Sequence, residues 1–254
     1  MCGRYVLLTA PDALRQLFAY GEQPNMPARY NIAPTQPVPV VLHEMGARHF
    51  LLMRWAFMPA WVKDPRAFAL VINARSETVR DKPAFKNAIK RRRCLLPADG
   101  YYEWQERGGR KRPFYIHPRD GGPMAFAGLA ETWVGPNGEE VDTVAIVTTA
   151  AAPEMAVLHH RVPVTIAPEH FERWLDCAAF NVDAVTGLMV PPRAGALVWH
   201  EVSTAVNHVA KDTPQLILPL TEEQAAVERA AAEAKKPPRA PRVKAVDDGQ
   251  GSLF

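Results

Sequence analysis

Residues 38–55 read Val38-Pro39-Val40-Val41-Leu42-His43-Glu44-Met45-Gly46-Ala47-Arg48-His49-Phe50-Leu51-Leu52-Met53-Arg54-Trp55. Two short apolar runs, Val38–Leu42 and Phe50–Trp55, flank a polar stretch that contains Gly46. Each reads as a strand of modest length. The same unit recurs along the chain. Leu70–Ile72, Phe114–Ile116, Met124–Ala127, Thr143–Thr149 and Val162–Ile166 are further short apolar runs between Pro and Gly punctuation. The 24 prolines favour many turns over long helices. Helical patches are fewer. Pro11–Phe18 follows Thr9 as a candidate N-cap, and Glu169–Cys177 follows Pro168. Val182–Leu188 and Pro214–Leu218 read as further short helical or irregular segments. The pattern predicts an α+β domain around a mostly antiparallel sheet, with short flanking helices.

With 254 residues the chain can bury a full core, and one domain plus a tail is the expected organisation. Its 48% hydrophobic and 22% charged residues are ordinary for a soluble globular protein. A net charge of only +3 is compatible with a nucleic-acid partner but does not establish one. Cys2, Cys94 and Cys177 are odd in number and lack metal-type spacing. They point to a reduced, intracellular setting without disulfides, and no metal or other cofactor is expected. The start shows no charged segment followed by an apolar run, and no stretch approaches the ~20 apolar residues of a membrane span. A cytoplasmic monomer with no membrane contact is the expectation.

Composition changes after Leu220. Residues 1–220 form the expected domain. Thr221-Glu222-Glu223-Gln224 resembles a capping box opening a helical extension over 221–236, which Pro237 and Pro238 stop. Residues 237–254 are basic, Pro-rich and then polar, and are expected to be disordered. The terminal Gln250-Gly251-Ser252-Leu253-Phe254 resembles the bacterial sliding-clamp binding motif at Gln250, Ser252, Leu253 and Phe254; Gly251 departs from it. Two apolar anchors on a polar tether suit a pocket on such a partner.

Chemistry concentrates at the start of the chain. Initiator methionine is normally trimmed before a residue as small as Cys2, which would leave a free α-amine and a thiol on adjacent carbons. The amine of such a 1,2-aminothiol titrates near ~8 and the thiol near ~8.5. The amine can attack an aldehyde to give an imine, and the thiol can then close a five-membered thiazolidine ring. No internal cysteine can do this.

Four further segments set polar groups beside apolar runs: Arg29–Thr35, Ile72–Thr78, Arg91–Trp104 and Leu158–Pro163. Together with Met1-Cys2-Gly3-Arg4 they resemble the SRAP (SOS response-associated peptidase) family of abasic-site processing proteins. The likeness runs from residue 2 to about 219 and takes in Trp55–Trp61, Phe126–Trp133 and Val206-Asn207 near Asp212. It implies a compact α+β domain with a barrel-like β core and a positively charged DNA groove. It also implies recognition of abasic sites in single-stranded DNA and their capture as a thiazolidine with Cys2, which protects the strand from cleavage during the DNA damage response.

By this resemblance Glu103, between Tyr102 and Trp104, is the proton shuttle that opens the closed sugar. Burial among aromatics would suit it by raising its pKa. His159 holds the family's H-x-R-x-P position, with Arg161 and Pro163 following, and a near-neutral pKa would suit proton transfer there. His160 occupies the variable position. Asn73 matches an active-site asparagine whose amide can orient the Cys2 amine or a sugar hydroxyl. Arg75 and Arg161 match arginines that grip phosphates, and Arg4 is expected to join them. Trp61 and Pro34 are candidates to stack on a neighbouring base, with a core role as the alternative; Trp55 is expected in the core. The run Lys90–Arg93 suits either DNA contact or a solvated surface.

The imine alone invites β-elimination, so lyase activity is expected alongside the trap. The peptidase label fits self-removal of Met1, with an aminopeptidase as the alternative. Two other functions use parts of the same pattern. One is an N-terminal-nucleophile hydrolase acting through Cys2, Glu103 and His159 without phosphate-gripping arginines. The other is a non-catalytic reader of modified DNA in which Cys2 is dispensable.

Overall fold

The computed structural model describes residues 2–234. The expected tail over 237–254 and its clamp-like motif lie outside the described residues. The chain divides after Pro219. The first unit opens with strand β1 (Tyr5–Leu7), helix α1 (Pro11–Phe18), β2 (Arg29–Ile32), β3 (Pro37–Glu44) and β4 (Ala47–Arg54). Next come β5 (Asn73–Arg75), helix α2 (Ala88–Arg91), β6 (Arg93–Ala98), β7 (Gly100–Arg107), β8 (Arg110–Pro118), β9 (Met124–Val134) and β10 (Glu140–Ala150). It ends with α3 (Pro153–Ala156), β11 (Arg161–Pro163), α4 (Phe171–Leu175), α5 (Val182–Thr186) and β12 (Leu197–Glu201). Short 3₁₀ turns stand at Pro168–His170, Thr204–Asn207 and Pro214–Ile217. The second unit holds α6 (Glu222–Ala234), opened by the reciprocal Thr221–Gln224 capping box.

The two runs of residues 38–55 become β3 and β4, paired from Pro37 with Arg54 to Glu44 with Ala47. They reverse through Met45 and Gly46, both at positive φ (49° and 78°), the mirror-image turn whose twist matches a hairpin. A ring follows from the pairings: β3 with β4 and β6, β6 with β9, β9 with β10, and β10 back to β4. All but the parallel β10–β4 closure are antiparallel, and closing the ring removes its exposed edges. The farther half of β10 carries β11 and, in parallel, β5. A second, five-stranded antiparallel sheet runs β12-β8-β7-β1-β2.

Side chains alternate across this second sheet. Tyr5, Tyr101 and Ile116 join the main core with Val40, Leu96, Phe126 and Val144 of the ring. Val6, Tyr102 and Tyr115 point to the opposite face and pack with Val202, Val206 and Leu216. Each such Val, Leu or Phe contributes about 1.5–3 kcal/mol on burial. Asp99 pins β1 in place, its carboxylate accepting from the Leu8 and Thr9 amides and the Thr9 hydroxyl. Gly100 beside it is required by close packing, since a Cβ there would stand 2.4 Å from the Tyr115 ring.

Some local expectations shift. Helix α1 has the expected bounds, but its N-cap is Ala10, because the Thr9 hydroxyl is engaged by Asp99. Leu70–Ile72 makes only a bridge at Val71, and the strand proper begins at Asn73. The segment 162–166 pairs with β10 through Arg161–Pro163 and then crosses to β9, where Val164 O accepts from Ala127 N.

Arg93 departs most from the surface reading of its basic run. Lys90 and Arg91 are exposed, whereas Arg93 is 1% exposed and lies over the Trp174 ring. Its guanidinium donates to the carbonyls of Ile89, Trp174, Asp176 and Phe180, which include those left open where α4 ends. Arg93→Ala is expected to cost about 3–4 kcal/mol by stranding these acceptors. Arg93→Lys should recover only part of that, because an ammonium cannot fork. Urea denaturation measures both; a loss below about 1 kcal/mol for the alanine variant would contradict this account.

Candidate active site

Cys2 precedes β1, and that strand is held on both sides. Tyr5 pairs with Ile32 and with Tyr101, and Tyr102 N donates to Arg4 O at 2.9 Å. Cys2 is consequently 0% exposed. Its carbonyl accepts from Asn73 Nδ2 at 2.9 Å, and its thiol faces Arg4 O at 3.9 Å. Burial, and then the nearby Glu103 carboxylate, push the thiol pKa up. The sulfur is therefore a protonated thiol at neutral pH.

Glu103 projects from β7 and is 3% exposed. Burial holds its pKa above the usual carboxylate range. Oε1 stands 4.0 Å from His159 Nδ1. The segment carrying His159 is tied to β7 by Gln105 Nε2, which donates to Val157 O at 2.7 Å, and to α3 through His159 N and Met155 O. His159 Nδ1 faces both the Arg161 amide at 2.9 Å and the Arg161 carbonyl at 3.2 Å. Its ring stacks on His160 at 4.2 Å. Burial and neighbouring positive charge lower its pKa to about 4, away from the near-neutral value expected from sequence. At neutral pH a carboxyl with raised pKa thus faces an uncharged imidazole. Such a pair divides into acid and base.

Above these groups opens a cleft of about 490 Å³ lined by Glu103, Trp104, Lys111, His159 and Asn207. Asn207 Oδ1 accepts from Trp104 Nε1 at 2.8 Å. Buried Asn31 holds the adjoining segment, its Nδ2 donating to the carbonyls of Val206, His208 and Lys211. Tyr30 N donates to Asp212 nearby. The Arg29–Thr35 and Val206–Asp212 segments, distant in sequence, thereby meet. Lys111 carries no motif and was not singled out from the sequence; it reaches the cleft because β8 pairs it with Glu106. Among the described residues no group of three or more His, Cys, Asp or Glu could hold a metal ion, and no helix is long and apolar enough to cross a membrane.

The expected DNA contacts divide. Arg75, on β5, is exposed. Arg161 is 8% exposed; its guanidinium donates to both Glu77 oxygens at 2.5 and 2.9 Å and to Thr148 O at 2.5 Å. A phosphate there would have to displace Glu77, whose pKa the Arg161 hydrogen bonds hold low. Arg4 is half-buried, with Nη1 donating to Asn31 Oδ1 and Val206 O at 2.7 Å each, and it lies over Trp104. Trp61 is 59% exposed and meets Phe68 edge-on. Partly exposed Pro34 precedes Thr35, which with Phe68 lines a second depression of about 380 Å³. Trp55 lies wholly in the core, its indole donating to Ile72 O.

Residues 1–209 match the family described as SOS response associated peptidase. The chain is 33% identical over 225 residues to abasic site processing protein YoaM of Bacillus subtilis, covering 85% of this chain and 97% of that one. Abasic site processing protein YedK of Escherichia coli is 31% identical, covering 87% and 100%. Abasic site processing protein HMCES of Gallus gallus is also 31% identical, covering 87% and 78%. Among solved structures, a protein from Bacteroides thetaiotaomicron superposes with a TM-score of 0.77 at 21% identity, covering 87% of this chain and all of that one. One from Bordetella bronchiseptica gives 0.70 at 26%, covering 80% and 100%. The fold is thus shared with both.

Proposed function

The chain belongs to the SOS response associated peptidase family, and from that premise we propose that it captures abasic sites in single-stranded DNA as a thiazolidine on Cys2. The observation that carries this reading is that Glu103 and His159 stand 4.0 Å apart at one cleft, while Cys2, held by Asn73, lies near enough to Glu103 for its charge to raise the thiol pKa. An abasic sugar is mostly a closed hemiacetal. Glu103 gives a proton to the ring oxygen as the C1′–O4′ bond breaks, and His159 accepts the proton leaving the anomeric hydroxyl. The aldehyde so exposed is attacked by the Cys2 α-amine. His159 returns its proton to Glu103, which protonates the carbinolamine so that loss of water leaves an iminium. The thiol adds to the iminium carbon as Glu103 recovers the proton.

Exposed Arg75 holds a flanking phosphate, and Trp61 with Pro34 stacks on a base. Arg161 then acts from within, fixing β11 beneath His159. A hydrolytic use of Cys2 would gain from a resting thiolate, which burial suppresses here.

Removal of Met1, by the protein itself or by an aminopeptidase, is a precondition. Mature protein mixed with a single-stranded oligonucleotide carrying one abasic site is expected to give a gel shift that resists heating in denaturant. Intact-mass analysis should accompany it. Protein retaining Met1 should give none, and mature protein giving none would refute the reading.

A further inference from the structure

Two buried tyrosines beside Cys2 differ from the others around them. Tyr102 donates its hydroxyl to Tyr30 O at 2.8 Å, Tyr115 to Asp99 O, and Tyr20 to Pro11 O. Tyr5 and Tyr101 are 0% and 1% exposed, yet neither hydroxyl has a hydrogen-bond partner among the described residues. A buried hydroxyl without a partner costs about 1–3 kcal/mol. Phenylalanine would avoid that cost at both positions. Their ring contacts would survive the change, being edge-on packing of Tyr5 on Trp55 and Phe126 and of Tyr101 on Phe126.

Their placement gives the hydroxyls a use. Tyr5 stands directly opposite Tyr101 across the β1–β7 pairing, three residues after Cys2. Glu103 lies two residues beyond Tyr101 on β7, hence on the same face. A third buried atom without a partner, Asn73 Oδ1, sits on the amide that holds the Cys2 carbonyl. Two donors and an acceptor therefore stand unspent on the strands that carry and hold the Cys2 segment.

We infer that the Tyr5 and Tyr101 hydroxyls bind the oxygen of the aldehyde under attack, forming an oxyanion site for carbinolamine formation; this rests on the aldehyde-capture reading above. As nitrogen adds to carbon, the C=O π pair moves onto oxygen, which the two phenols hold. A proton passes from nitrogen to that oxygen. Glu103 supplies a second, and the oxygen leaves as water. The iminium carbon then takes the thiol sulfur, and the thiol proton returns to Glu103. Burial keeps both phenols protonated, so both act as donors at neutral pH.

The test is Tyr5→Phe, Tyr101→Phe and the double variant, measured by single-turnover crosslinking against abasic DNA concentration and by thermal melting. The double variant should lose about 100-fold in maximal rate, the scale of a lost oxyanion donor, with an unchanged half-saturating concentration. Its melting temperature should hold or rise. A wild-type rate in the double variant, with wild type crosslinking normally, would overturn this inference alone. So would a lower melting temperature with no loss of rate, since the hydroxyls would then be bonded structurally. Failure of wild type to crosslink would instead refute the capture reading.

Discussion

Replacing Cys2 with alanine is expected to abolish the crosslink that survives heating in denaturant while leaving the protein folded. The mature variant keeps its α-amine, so the aldehyde is still attacked and an imine still forms. Without sulfur nothing closes the ring, and the imine either hydrolyses or loses its 3′ phosphate by β-elimination. Strand cleavage should therefore rise above the wild-type level as the stable adduct falls to the detection limit. Borohydride reduction should trap the imine in both proteins, which separates loss of the thiol step from loss of binding. Stability changes little by comparison: one small buried group is removed, on the order of 1 kcal/mol. A heat-resistant adduct formed by Cys2→Ala would sink the thiazolidine mechanism. An unchanged cleavage rate would show that the thiol does not divert the imine.

Parts of the fold were legible because short-range pattern decides them. The β3–β4 hairpin follows from two apolar runs about a Gly-bearing turn, and α1 keeps the bounds read from the sequence although Thr9 is not its cap. Closure of the ring was expected only through the family resemblance, which implies a barrel-like core. The apolar pattern does not show it, since β10 reaches β4 through Thr143 and Arg54, far apart in sequence. The β5 strand was displaced in the reading because Asn73 and Arg75 are polar. Their backbone pairs with β10 all the same, which is what delivers Asn73 to Cys2. Arg93 looks like its basic neighbours in sequence, and only the carbonyls gathered around it distinguish it. At the site, the family resemblance singled out Cys2, Asn73, Glu103 and His159, and the structure sets Asn73 against Cys2 and Glu103 beside His159. The charge state of His159 was hidden, because it depends on burial and on the Arg161 amide bonded to Nδ1. Tyr5 and Tyr101 were hidden too, since an unpartnered hydroxyl is a property of packing.

Glu103→Gln should slow crosslinking by about 10²–10⁴-fold, the usual worth of a positioned acid–base group, and should also change the shape of the pH profile. The sign follows from two groups. The amine must be neutral, so its contribution rises with pH up to about 8. Glu103 must be protonated to open the sugar, so its contribution falls above its own pKa, which burial raises. In the wild type the two slopes cancel between these pKa values. The rate should climb at low pH, run flat through neutrality and decline above about pH 8. The plateau should begin at a higher pH than an ordinary carboxylate would give. Glutamine cannot transfer the proton, so the variant's residual rate should rise continuously to about pH 8 and then level off, with no alkaline decline. His159 contributes no limb near neutrality, because burial places its titration at about 4. Single-turnover rates across this range decide the matter. A variant profile parallel to wild type, with less than about a tenfold loss, would remove Glu103 from proton transfer and leave it a structural carboxyl.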